Sequence, residues 1–180
     1  MTASSAHARD KKVNILLIFG DDAGQAKYQP FCPWRDGVRN PNIHRIGQEG
    51  MTFTDCYAEN SCTTGRSSVI TGQSPIRISL SKVGMPGAPL GLQKRHITIA
   101  ETLKQLGYPT RQFGKNHLGD RDKYLPANHG FDEFFGNLYH LNMEQEPEMP
   151  DWPKDDSGFA KVCAPRGVIH AADGSVEDTI

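Results

Sequence analysis

The chain has 180 residues, 37% of them hydrophobic and 23% charged, with a formal net charge of −1, the make-up of one folded domain or a piece of a larger one rather than of a disordered chain. A near-neutral balance without a long basic run gives a nucleic-acid backbone nothing to hold, and no segment is apolar for long enough to span a bilayer. Four cysteines, at 32, 56, 62 and 163, lack CxxC or zinc-ligand spacing and are too sparse for a disulfide framework. They point to reduced thiols in a cytoplasmic protein, or in a periplasmic or exported one if a leader has been removed.

Residues 1–11 read as a polar, mobile tail. The run "VNILLIF" (13–19) is almost continuously apolar, as expected of a strand buried on both faces. It is too short, and too soon followed by Asp21 and Asp22, for a signal peptide. "NPNIHRIGQEG" predicts a short helix capped by Asn40, with Pro41 in its first turn and Gly50 as its stop. "MTFTDCYA" (51–58) alternates like a strand, and a helix then starts at or just after Cys62. "TIAETLKQLG" carries a capping box, Thr98 with Glu101, and an apolar stripe of Ile99, Leu103 and Leu106. "YPTRQFGK" is a strand that runs into "GKNHLGD". The alternation predicts an α/β fold over residues 12–180, a mainly parallel sheet flanked by helices. From about Asn142 the chain turns acidic and proline-rich, so 142–180 is expected to be an irregular excursion with no helix or strand to close the fold.

Three polar clusters follow the apolar runs, and the carboxyl ends of parallel strands form one edge along which ligands bind. Asp21 and Asp22 can turn toward one hard cation, or make a polar turn. Cys62 at a helix start lies where amides favour an anion, and Arg66, one turn on, can brace that anion; the alternative is a small buried thiol beside an exposed arginine. Lys115 and His117, two apart, would share one side of an extended segment, a fixed positive charge beside a proton relay, with Gly114 and Gly119 allowing close approach. Read singly, they are a solvated lysine and a satisfied histidine. The CxxxxxR loop of cysteine phosphatases is absent.

Taken in order, "NILLIFGDDAG", "NPNIHRIGQEGMTFTDCYAENSCTTGRSSVITGQSPIR", "TIAETLKQLGYPTRQFGKNHLGD" and "HGFDEFFGNLYHLN" resemble the N-terminal portion of a type I sulfatase. The nearest likeness is to bacterial arylsulfatases of the alkaline-phosphatase superfamily. The resemblance implies an alkaline-phosphatase-like sheet and a sulfuric ester hydrolase. It implies that a formylglycine-generating enzyme converts Cys62 to formylglycine, whose aldehyde hydrate attacks the sulfur of a sulfate ester, an aryl sulfate first of all. By the same carry-over, Arg66 steadies the modified side chain, Lys115 holds sulfate oxygens and His117 bonds the hydrate or substrate. Asp21, Asp22 and the modified Cys62 would ligate Ca2+, with Mg2+ as the alternative ion. Two positions depart from the family: Thr64 stands where proline or alanine is preferred, and His44 replaces a usual aspartate. An Asp–Asn pair and a further lysine and histidine come later in the longer family chains. The resemblance therefore implies a fragment, inactive as an isolated 180-residue chain. Two other readings stand beside it, a phosphonate or phosphate ester hydrolase of the same superfamily and a non-catalytic sulfatase remnant.

Overall fold

The structure is a computed structural model that describes residues 12–21, 23–28, 39–139, 148–155, 158–160, 164 and 167–178. The chain divides into two compact units, Met1–Cys56 and Tyr57–Ile180. The tail 1–11 and Cys32 and Cys163 lie outside the described residues.

In the first unit a 3-10 turn spans Gln25–Lys27 and helix α1 spans Pro41–Glu49. Proline fits the first turn because its missing N–H has no helical partner there. Asn40 precedes it as expected but does not cap it through its side chain; its Nδ2 donates instead to the Lys27 carbonyl at 2.6 Å. The Gly50 amide closes the helix on Ile46 O at 2.9 Å. Residues 13–19 do not form the expected strand, and Val13, Ile15, Leu16, Leu17 and Ile18 are all exposed. Residues 51–58 form none either. Both sequences have strand character, yet a strand exists only where a neighbour takes its amides and carbonyls.

In the second unit helix α2 spans Cys62–Thr71 after an extended Ser61. Thr64 does the work of a capping-box residue: its Oγ1 accepts from the Ser61 N–H at 3.1 Å and donates to the Ser61 carbonyl at 2.6 Å. Gly72, left-handed at φ 64, ends the helix by donating to Ser68 O at 2.8 Å. Helix α3 spans Ile99–Gln105 and has the predicted capping box: Thr98 Oγ1 accepts from Glu101 N–H at 3.0 Å, and Glu101 Oε2 accepts from Thr98 N–H at 2.8 Å. Its predicted stripe does not face the core. Ile99 and Leu106 are exposed and Ala100 is the buried residue, because Thr98 Oγ1 is also bonded to His129 O at 2.7 Å and fixes how the helix is turned.

The sheet has the order β1 (Arg111–Phe113), β2 (Glu133–Gly136), β3 (Ile169–Ala172) and β4 (Ser175–Asp178). β1 and β2 are parallel; β2–β3 and β3–β4 are antiparallel, so among the described residues the sheet is mixed rather than mainly parallel. β3 and β4 lie inside the stretch expected to be irregular. They form a hairpin over Asp173 and Gly174, whose positive φ values of 51° and 79° suit the right-handed twist of the strands. The core gathers Ile70 of α2 with Ile78, Leu80, Leu92 and Leu118, and Leu90 packs on it. This cluster ties α2, the 78–92 stretch and the loop after β1 together by apolar burial. That loop carries the polar residues singled out above.

Candidate active site

The first turn of α2 holds Cys62 half-buried, followed by the buried Thr63 and Thr64. Amides at a helix start have no intrahelical acceptors, so this turn favours negative charge on or near residue 62. One turn on, Arg66 directs Nη1 to the carbonyl of Lys115 at 2.5 Å. One of its five N–H donors thus locks α2 to the segment after β1.

That segment extends the β1–β2 pairing past the end of the strands. Gly114 N donates to Phe135 O (2.9 Å), Asn116 N to Asn137 O (2.9 Å) and His117 N to Leu138 O (2.8 Å). The backbones come so close that a Cβ on Gly136 would lie 1.9 Å from the Gly114 carbonyl oxygen. The expected alternation, with Lys115 and His117 on one side, does not hold. Asn116, His117 and Leu118 are all buried while Lys115 is half-buried, because φ is positive at Gly114 (93°), His117 (57°) and Gly119 (104°). His117 is the unusual member, since a β-carbon makes the left-handed conformation costly.

His117 Nε2 lies 3.0 Å from the carbonyl oxygen of Gly84, and the Gly84 amide donates to Thr63 Oγ1 at 3.0 Å. The neighbour of Cys62 and the imidazole of His117 are thus joined through one residue. Tyr139 sets its ring at 79° to His117 with centroids 5.1 Å apart, and its hydroxyl donates to Met85 O at 3.1 Å. Thr63, Gly84 and Tyr139 were not singled out from sequence. Their only signal is the Gly/Pro-rich "GMPGAPLG", which marks a tight strap without saying what it ties.

Asp21 is half-buried in the first unit, and Asp22 lies outside the described residues. Among the described residues no group of three or more His, Cys, Asp or Glu could hold a metal ion. A hard cation takes about six to eight oxygens, so the described donors do not amount to a calcium shell and no chemical step is routed through one. Cys56 and Cys62 are free thiols. No helix among the described residues is long and apolar enough to cross a membrane.

Titratable groups of the scaffold are shifted, Asp132 and His96 among them. Lys104, 2.5 Å away, and the Thr110 backbone N–H hold the Asp132 carboxyl down at about 2. Burial, then the charge of Arg95 and the presence of His129, holds His96 below the usual histidine range.

Comparison with known proteins matches the Sulfatase family description to residues 13–177. An arylsulfatase of Hemicentrotus pulcherrimus is 34% identical over 161 residues, 83% of this chain and 27% of that protein. Arylsulfatase G of Rattus norvegicus is 34% identical over 160 residues (84% and 30%), and arylsulfatase A of Homo sapiens 36% over 130 residues (70% and 25%). The chain therefore spans less than a third of each of these relatives. Among solved structures, PsFucS1 sulfatase from Pseudoalteromonas sp. aligns with a TM-score of 0.65 at 26% identity, covering 76% of this chain and 29% of that one. Ps i-CgsB in complex with k-i-k-neocarrahexaose aligns with a TM-score of 0.68 at 24% identity (88% and 35%), a likeness of fold.

Proposed function

The chain belongs to the sulfatase family, and from that premise we propose that the first turn of α2 is the nucleophile end of a sulfuric ester hydrolase site of the arylsulfatase type. Its fold is alkaline-phosphatase-like, as in its sulfatase neighbours. The observation that carries the reading is a double connection. Arg66 reaches the carbonyl of Lys115, and Thr63 reaches His117 through Gly84, so the turn bearing Cys62 and the 115–117 segment are held as one piece.

Each side chain then has a part in handling a sulfate ester. Cys62 is the precursor that a formylglycine-generating enzyme oxidises, and formylglycine supplies an aldehyde hydrate as oxygen nucleophile toward sulfur. The helix start favours the negative charge that gathers there, and the Lys115 ammonium holds sulfate oxygens. His117 hydrogen-bonds the hydrate or the substrate, and Arg66 keeps the two segments in register. Asp21 and Asp22 keep the calcium-ligand role that the resemblance gives them, with Mg2+ as the alternative ion.

Mass spectrometry of the chain co-expressed with a formylglycine-generating enzyme tests the reading. The tryptic peptide 46–66 contains both Cys56 and Cys62, so fragmentation must place the change. Replacement of CH2–SH by CHO at residue 62 alone is expected. An intact thiol there, under conditions in which a control substrate is fully converted, would refute the assignment.

A further inference from the structure

We propose that Thr63, Gly84 and Tyr139 form a positioning relay that fixes the proton of His117 on Nε2 and so makes Nδ1 the accepting atom of the ring. The first step is a matter of valence. A carbonyl oxygen only accepts, so the 3.0 Å contact between His117 Nε2 and Gly84 O requires Nε2 to carry hydrogen. A neutral imidazole has one N–H, which leaves the lone pair on Nδ1.

The second step concerns what holds the carbonyl in place. The peptide groups on both sides of the one that carries the Gly84 carbonyl are tied down: the Gly84 N–H donates to Thr63 Oγ1 at 3.0 Å, and Met85 O accepts from the Tyr139 hydroxyl at 3.1 Å. Further along, Gly87 N donates to Asp120 Oδ2 at 2.7 Å, and Arg121 Nη2 donates to Gly87 O at 3.3 Å. The strap is therefore anchored to α2 on one side of the imidazole and to the residues just after His117 on the other. The ring has little room to turn. It is fully buried, Tyr139 stands edge-to-face against it, and its backbone N–H is bonded to Leu138 O. Flipping the ring about Cβ–Cγ would put Cε1 where Nε2 stands and forfeit the bond to the Gly84 carbonyl. The strap thus selects an orientation and a tautomer together.

The consequence for chemistry rests on the sulfatase reading. A histidine that accepts at Nδ1 can take a proton from a hydroxyl there, whereas one that donates at Nδ1 cannot. Thr63 and Tyr139 are positioning residues, since they act through Gly84 and Met85 on the ring.

The tautomer can be read without turnover, from two-bond 1H–15N correlations of the imidazoles in the 15N-labelled chain at a pH where His117 is neutral. The wild type is expected to show hydrogen on Nε2. Thr63→Val, which removes the acceptor for Gly84 N–H, and Tyr139→Phe, which keeps the ring but loses the bond to Met85, are each expected to shift His117 toward a mixture of tautomers. Thr63→Ser, which keeps the acceptor oxygen, is expected to restore the wild-type pattern. Hydrogen on Nδ1 in the wild type, or an unchanged Nε2–H in both Thr63→Val and Tyr139→Phe, would overturn the relay. Should Thr63→Val fail to fold, Tyr139→Phe decides alone. An intact Cys62 thiol beside an Nε2–H His117 would defeat the sulfatase reading and leave the relay standing.

Discussion

Replacing Gly136 with alanine tests whether the approach of two backbones sets the position of the His117 segment. A Cβ there would lie 1.9 Å from Gly114 O, against an ordinary contact of about 3.5 Å. No flexible side chain can yield, so the β2 end and the 114–117 segment must part by roughly 1.5 Å. The hydrogen bonds Gly114–Phe135, Asn116–Asn137 and His117–Leu138, now 2.8 to 2.9 Å, would then stretch well past the ~3.2 Å limit of a good N–H···O bond. At about 1 kcal/mol net for each, the loss comes to about 3 kcal/mol, at the upper end of ordinary overpacking costs. Urea unfolding of wild type and variant measures it, and hydrogen exchange at the amides of Gly114, Asn116 and His117 locates it. Gly84→Ala is the control, since a Cβ there meets only Thr63 Oγ1 at 3.8 Å; its stability should stay within about 1 kcal/mol of wild type. A Gly136→Ala chain that loses less than about 1 kcal/mol and keeps those amides protected would refute the reasoning.

Thr64→Ala removes the hydroxyl that caps α2 at Ser61 and should cost about 1 kcal/mol by thermal unfolding. Arg66→Ala removes a charge-assisted bond to Lys115 O and should cost about 1.5–3 kcal/mol in urea, with faster exchange at Asn116 and His117. Stability should fall with pH in two stages. His96, held below its ordinary 6.5, resists protonation in the folded chain while the unfolded chain takes up a proton, so stability declines as pH drops below 6.5, and His96→Asn should flatten that stage. Asp132, lowered from 3.8 to about 2, stabilises the fold above pH 3.8 and loses that contribution as pH falls toward 2; Asp132→Asn should remove the second stage.

Helix ends were readable because their signals are local. Pro41 and Gly50 around α1, and Thr98 with Glu101 before α3, each act within one turn of backbone, and α2 starts at Cys62 as expected. Pairing partners were not readable. "VNILLIF" has strand composition but no ladder in the structure, whereas "GVIHAADGSVED", read as irregular after an acidic and proline-rich approach, holds β3 and β4. The Asp173–Gly174 turn was the cue there, and the composition of the preceding 25 or so residues outweighed it. At the site, Cys62, Arg66, Lys115 and His117 were visible as chemical types in a familiar order. The strap that joins them was not, because Thr63, Gly84 and Tyr139 act through backbone hydrogen bonds spanning 21 to 54 residues.

The left-handed backbone at His117 means that this residue opposes its own folding preference. A β-carbon at φ 57 costs about 1–2 kcal/mol that glycine would not incur. His117→Gly should therefore unfold at a higher denaturant concentration than His117→Ala, although both lose the same imidazole contacts. The gap between the two gives the stability this chain forgoes to keep an imidazole at that bend.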